Sequence, residues 1–288
     1  MKLSFTTLDV FTSTRYAGNP LAVIEVPASQ KSSLTQVQKQ KVAAEFNLSE
    51  IIFVHETSTN ETSIDIFMPD TEIPFAGHPT VGAAYFLLNI RKQPTIALIE
   101  KCGRLPISEG QVMGEVKADV PQDFHIHDIT FKSELTVSPA VCVSIVKGMS
   151  FILVPLPGLL TLAKARGNLK PPAGVACLDP GWQEGLIGTM YFVAQGHDEF
   201  GRKVYRTRMF VDFEDPGTGS ASCALGCWLA SQGEGEKFSF IQGVEMGRKN
   251  DIAVEVVAEG EIVGKGKRIK NVRLSGTCVQ VMEGTLNI

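Results

Sequence analysis

The chain lacks most of the short signatures that would assign a chemistry outright. It has no GxxxxGK[ST] phosphate loop, and no GxGxxG follows its first apolar stretch. Ser220 does not sit in a GxSxG elbow. Six cysteines occur without CxxC spacing and mostly among apolar neighbours, which predicts reduced, buried thiols in a cytoplasmic protein. Basic clustering is sparse. Only "GKGKRIK" at 264–270 concentrates positive charge, and it reads as a solvated hairpin tip, so no nucleic-acid partner is expected. The longest apolar run, "FILVPLPGLLTLA", is broken by Pro155 and Pro157, which argues against a membrane span. "MKLSFTTLDVF" carries no long apolar segment, so no secretory signal is expected.

What is present is ordinary globular chemistry. The 288 residues are 44% hydrophobic and 20% charged, with a formal net charge of -4. That length suits one large domain or two of common size, with a core that needs no disulfide or metal.

Strand patterns cover "LSFTTLDVF", "LAVIEV", "IIFVHE" and "SIDIFMP". Ser33 to Phe46 is predicted as a helix, with Ser33 and Gln36 as a capping box and Leu34, Val37, Val42 and Phe46 as its apolar stripe. "PFAGHPTVGAAYFLL" opens as a small-residue turn and is expected to become helical at Pro79. Further strands are predicted at "AVCVSIV", "SFILVPL", "TMYFVAQ" and "KVYRTRMF". A glycine turn and helix follow in "FEDPGTGSASCALGCWLASQG", with Gly233 as the stop.

The halves resemble each other. "EIIFV" parallels "TMYFV" and "AGHPTVGAA" parallels "PGTGSASCA", at offsets of 139 and 140 residues. A duplicated α/β unit follows, with a boundary near 118–130. Two glycine turns at helix N-termini suit a carboxylate or phosphate, because free N–H groups and the helix dipole favour an anion there. Duplicated chains often place a ligand between their halves. Glu50, between a helix and an apolar strand, is a candidate proton-transfer group, since desolvation raises a carboxyl pKa. It also reads as a plain solvated residue. Asp215 is a candidate site residue or a cap of its turn. His78 is a candidate donor or a packed helix-entry residue. His125 and His127 share a strand face, but two histidines make an incomplete metal site and read as exposed surface. Cys223 and Cys227 read as core packing.

Together "LDVFTSTRYAGNPLAV", "NLSEIIFV", "IFMPDTEIPFAGHPTVG", "RMFVDFEDPGTGSA", "IQGVEMGR" and "LSGTCVQVMEGTL" resemble the PhzF-like (phenazine biosynthesis PhzF) family over nearly the whole chain. The resemblance implies an α+β, diaminopimelate-epimerase-like fold of two duplicated domains, each a curved barrel-like sheet around a central helix. It sets them at 1–120, with a final strand near 280–288, and at 121–279. It implies a cofactor-independent, metal-free isomerase of a small carboxylated substrate, cyclic or amino acid-like, acting in an inter-domain cleft. Glu50 would move the proton, assisted by His78 and Asp215. Asn19, Ser49, Gly77, Gly219 and Ser220 would bind substrate. It favours a homodimer in the cytoplasm.

The alternative is a non-catalytic small-molecule-binding or protein-interaction member of the same fold. The cysteine positions of related epimerases align with Ala76 and Pro216, so a thiol mechanism is not expected. Only Val211, Asp212 and Phe213 separate "RMF" from "ED", where the family has a longer stretch. The loop carrying Asp215 is therefore expected to be short.

Overall fold

The computed structural model describes residues 1–262 and 266–288. The basic run at 264–270 lies in part outside them. The chain divides into two compact units. One is Met1–Asp119 with Ser275–Ile288, and the other is Val120–Leu274.

In the first unit, stretches rich in Val, Ile, Phe and Thr give β1 (Lys2–Val10), β2 (Asn19–Val26), β3 (Ile51–His55) and β4 (Glu61–Phe67), of which β4 alternates buried and half-buried side chains, and the short β5 (Glu72–Ile73) follows. Helix α1 (Gln36–Phe46) links β2 to β3, and α2 (Gly77–Tyr85) follows β5. Then come β6 (Ala97–Glu100), β7 (Gly103–Glu109) and β8 (Glu115–Asp119). The second unit runs β9 (His125–Ser133), β10 (Thr136–Val146), β11 (Met149–Pro155), a single-turn α3 (Leu159–Leu162), β12 (Leu186–His197), β13 (Lys203–Phe210) and β14 (Glu214–Asp215). It continues with α4 (Gly219–Ser231), β15 (Lys237–Gln242), β16 (Asn250–Ile262) and the first part of β17 (Gly266–Asn287), whose residues from Ser275 onward belong to unit one.

The pairing repeats. In unit one, β1–β2 is antiparallel, β2–β3 parallel, β3–β4 antiparallel, β4–β6 parallel and β6–β7 antiparallel. In unit two, β10–β11, β11–β12, β12–β13, β13–β15 and β15–β16 follow the same alternation. The curled mixed sheet of each unit surrounds one helix. In α2, every residue from Gly77 to Ala84 is buried, and the helix packs on β1, β2, β3 and β8. In α4, twelve of thirteen residues are buried against β10, β11, β15 and β16, including Cys223 and Cys227. Small residues permit this closeness. A Cβ on Gly82 would lie 2.2 Å from Leu21 Cδ2, inside the wall of the sheet.

Several local expectations shift. The cap of α1 is Thr35, whose hydroxyl accepts the Gln38 N–H while the Gln38 side chain accepts the Thr35 N–H. The box therefore lies two residues beyond Ser33. Val37 is exposed, whereas Lys39 and Ala43 face inward. Helix α2 begins at Gly77 and α4 at Gly219, so Pro79 occupies the first turn, where a missing N–H costs nothing. The two helix starts are 142 residues apart. Their N-caps are Ala76 and Thr218. Gly233 ends α4 with a left-handed φ of 82°. Among the described residues, no helix is long and apolar enough to cross a membrane.

Candidate active site

Topology explains how three separated residues meet. Ile51, the first residue of β3, pairs with Phe67 at the end of β4, and the chain then turns through β5 into α2. Glu50 therefore lies beside the turn that launches α2. Ala22 of β2 pairs in parallel with the same Ile51, so Asn19 at the start of β2 lies at the same end of the sheet. Gly18 sets that start. Its φ is +68°, and an added Cβ would lie 2.3 Å from the Val10 carbonyl oxygen, so only glycine fits.

Glu50 Oε2 lies 3.8 Å from His78 Nδ1, and the two side chains are 18% and 5% exposed. Burial raises the Glu50 pKa above its ordinary value of 4.5, and a hydrogen bond with Ser49 opposes that rise. Asn19 Nδ2 lies 3.4 Å from His78 Nδ1. An amide nitrogen only donates, so Nδ1 is the acceptor and a neutral ring carries its proton on Nε2. Gly77 is buried in the first turn of α2, beside His78. Unit one thus brings together Glu50, Ser49, His78 and Asn19 at a helix N-terminus.

A support beneath this turn escaped the sequence reading. Thr80 Oγ1 lies 2.8 Å from the Ala76 carbonyl and 2.8 Å from Glu100 Oε1. Glu100 is buried, and desolvation lifts its pKa to about 8, against hydrogen bonds with Thr80 and Cys102. Thr80 has one hydroxyl proton for these two acceptors, so it is shared between the Ala76 carbonyl and Glu100. The residue sits at the end of β6, about twenty positions beyond the turn it holds, so no local motif marks it.

In unit two, the short loop closes as a hairpin that pairs Asp215 with Met209. Arg208 clamps it by donating two 2.7 Å hydrogen bonds to Glu214. Asp215 accepts from Gly217 N–H at 3.1 Å and from the Thr218 hydroxyl at 2.6 Å. Its carboxylate is thus turned onto its own turn, as a cap would be. Gly219 and Ser220 open α4 and are buried. Gln242 donates to the Asp215 carbonyl at 2.7 Å, and Asn250 donates to the Pro216 carbonyl at 2.6 Å. Both hold the turn, and both were missed for the same reason as Glu100.

The repeat is chemically unequal. Thr189 pairs with Phe210 as Ile51 pairs with Phe67, so the position equivalent to Glu50 is Gly188. The N-caps are Ala76 and Thr218, so neither glycine turn opens on a thiol.

Paired units of this kind, each a curled sheet around a buried helix, make up an epimerase-like fold. The profile of the phenazine biosynthesis-like protein family matches residues 8–284. The chain belongs to that family, and it is an enzyme of the isomerase class. It is 29% identical to an uncharacterised isomerase of Mesorhizobium japonicum, over 97% of each chain. It is 27% identical to the trans-2,3-dihydro-3-hydroxyanthranilate isomerase of Pseudomonas chlororaphis, again over 97% of each. Among solved structures, the Bacillus anthracis phenazine biosynthesis protein of the PhzF family shares the fold at a TM-score of 0.77, with 22% identity and full coverage of both chains. A probable proline racemase from Agrobacterium radiobacter shares it at 0.65, with 14% identity over 99% of this chain and 92% of the other.

Proposed function

We propose that this protein isomerises a small carboxylated substrate by moving a proton between two of its carbons, with Glu50 as the only shuttle. The observation that carries this is a buried glutamate of raised pKa, 3.8 Å from an imidazole at a helix N-terminus, with Gly188 at the equivalent place in the repeat. A single base that collects and returns a proton fits a shift within one face of a molecule. A two-base racemisation needs a second group, which Gly188 does not supply.

The steps follow from the groups. Glu50 in its carboxylate form takes a proton from an acidified carbon. Its raised pKa makes that carboxylate a stronger base for taking the proton, and the acid so formed gives the proton back at the second carbon. His78, polarised through Asn19, donates from Nε2 to the substrate's polar group where charge develops. The N–H groups at the Gly77 turn hold the carboxylate. Gly219 and Ser220 offer a like turn, and Asp215 acts there by fixing its shape. No residue in this scheme requires a cofactor. The substrate class is a cyclic or amino acid-like carboxylate, and dihydro-hydroxyanthranilates are its first candidates.

The test is solvent exchange in deuterium oxide with such substrates, read by mass. Wild type should place deuterium in the product, and Glu50→Gln should lower the rate by at least about a thousandfold while binding changes little. Full activity in that variant would remove Glu50 from the chemistry. Binding without exchange in the wild type would instead favour a non-catalytic binding protein.

A further inference from the structure

His125 and His127 lie two residues apart on β9, so their side chains share one face of the strand. The expectation of an exposed pair fails, because the His127 side chain is wholly buried. The reason is the segment after β11, which folds over this face and brings Asp179 to it. His125 Nε2 lies 2.7 Å from Asp179 Oδ2, and His127 Nδ1 lies 3.7 Å from the same oxygen. The ligand atoms of all three lie within 4.8 Å of one another.

An ordinary ion pair explains the first contact only. The second distance is too long for a hydrogen bond, and His127 Nδ1 instead accepts the Asp179 N–H at 3.3 Å, so both rings meet the same residue. A tetrahedral ion with bonds of about 2.1 Å holds its ligand atoms about 3.4 Å apart. The observed distances bracket that value, and a small rotation of Asp179 would even them.

The surroundings orient the donors. His127 Nε2 lies 2.8 Å from Ser144 Oγ, which lies 2.7 Å from Ser150 Oγ. A ring N–H given to Ser144 leaves the Nδ1 lone pair directed at the Asp179 side, the arrangement that outer partners impose on metal-binding histidines. That lone pair faces the Asp179 N–H at 3.3 Å, a long contact that an ion would replace. Asp179 Oδ1 accepts from the Asp128 N–H at 3.3 Å. The His125 ring stacks on Trp182 with centroids 4.6 Å apart and planes 11° apart. His125 and Asp179 are each about a fifth to a quarter exposed, which opens a path to solvent.

We propose that His125, His127 and Asp179 bind a divalent transition metal of the zinc class, with water in the fourth position. Two imidazoles and a carboxylate suit zinc, cobalt or nickel and disfavour calcium and magnesium, which prefer all-oxygen shells. The ion would pin the segment around Asp179 to β9, a structural role that uses none of the residues proposed for proton transfer.

Metal-stripped protein is titrated with Co²⁺, read by visible absorption, and with Zn²⁺, read by calorimetry. One equivalent should bind, and His125→Ala and Asp179→Asn should each weaken it at least about tenfold. Zinc should raise the Tm of wild type and not of the variants. Cys102→Ser, at an exposed thiol, should leave binding unchanged. The absence of stoichiometric binding would overturn the site. So would binding untouched by both substitutions, or binding lost with Cys102. If Asp179→Asn fails to fold, His125→Ala at the partly exposed position still decides the matter.

Discussion

At the scale of single residues, Glu100 and Gln242 show one structural task solved in two ways. Glu100 ends β6 opposite Gly103, and Gln242 ends β15 opposite Asn250. Each reaches the turn that opens its unit's buried helix, Glu100 through Thr80 and Gln242 through Thr218. A neutral carboxyl and an amide are nearly isosteric, and both donate and accept. The pKa of about 8 at Glu100 exceeds the ordinary 4.5, so between those values the folded chain keeps a proton that the unfolded chain has lost. Stability contributed by this group is complete below pH 4.5 and falls as pH rises toward 8. Glu100→Gln should abolish that slope. Relative to the variant, wild type should lose on the order of 4 kcal/mol between pH 5 and pH 8, measured by urea unfolding at each pH. Parallel profiles would show that Glu100 is not held neutral.

The residues that sequence reading found share a property these lack. Glu50, His78 and Asn19 stand beside glycines, prolines and strand starts, which mark them locally. Glu100, Gln242, Asn250 and Asp179 act on turns or strands distant in sequence, and nothing beside them records it.

At the scale of elements, the apolar patterns were legible where a helix or strand is buried on a regular face. At α1 they hold at Leu34, Val42 and Phe46, which pack on the core, and fail at Val37, which points to solvent while Lys39 and Ala43 are buried. Charge adds to that packing. Asp65 of β4 lies 2.5 Å from Lys39 Nζ and 2.7 Å from His55 Nε2. Burial alone would raise the Asp65 pKa, yet hydrogen bonds and charge from His55 and Lys39 outweigh it and the pKa falls below 3.8. The stability it contributes is therefore present above pH 3.8 and lost as pH falls through the depressed value. Asp65→Asn strands two buried basic groups and should cost about 3 kcal/mol in urea unfolding near neutral pH. Amide exchange should then accelerate first in α1, and an unchanged α1 would mean that packing alone holds the helix. The repeat offset was misjudged for a related reason. Short residue matches gave 139 and 140, whereas the helix starts lie 142 apart, because the linking loops differ in length.

At the scale of the whole chain, the shared strand alternation makes the duplication plain, and it leaves each unit needing one more strand beside its first hairpin. In unit two, β9 supplies it from the residues just before β10, with which it pairs. In unit one, the far end of β17 returns to pair with β1, from Lys2–Asn287 to Val10–Cys278. The first and last residues bond to each other, Met1 N to the Ile288 carbonyl at 2.7 Å and Ile288 N to the Met1 carbonyl at 2.8 Å. The returning strand also completes a core. Leu286 and Ile288 pack on the cluster built from Leu3, Ala22, Ile24, Ile51 and Phe53. Deleting residues 277–288 removes these contacts and leaves β1 as an open edge. The loss should exceed the roughly 5 kcal/mol that holds a modest domain together, so unit one should unfold. Unit two has a separate core around Ile152, Tyr191 and Phe210, and it should persist. Hydrogen exchange on the truncated chain reads both outcomes at once: lost protection in β1 to β4, retained protection in β10 to β13. Retained protection in β1 would mean that the first sheet stands without its returning strand.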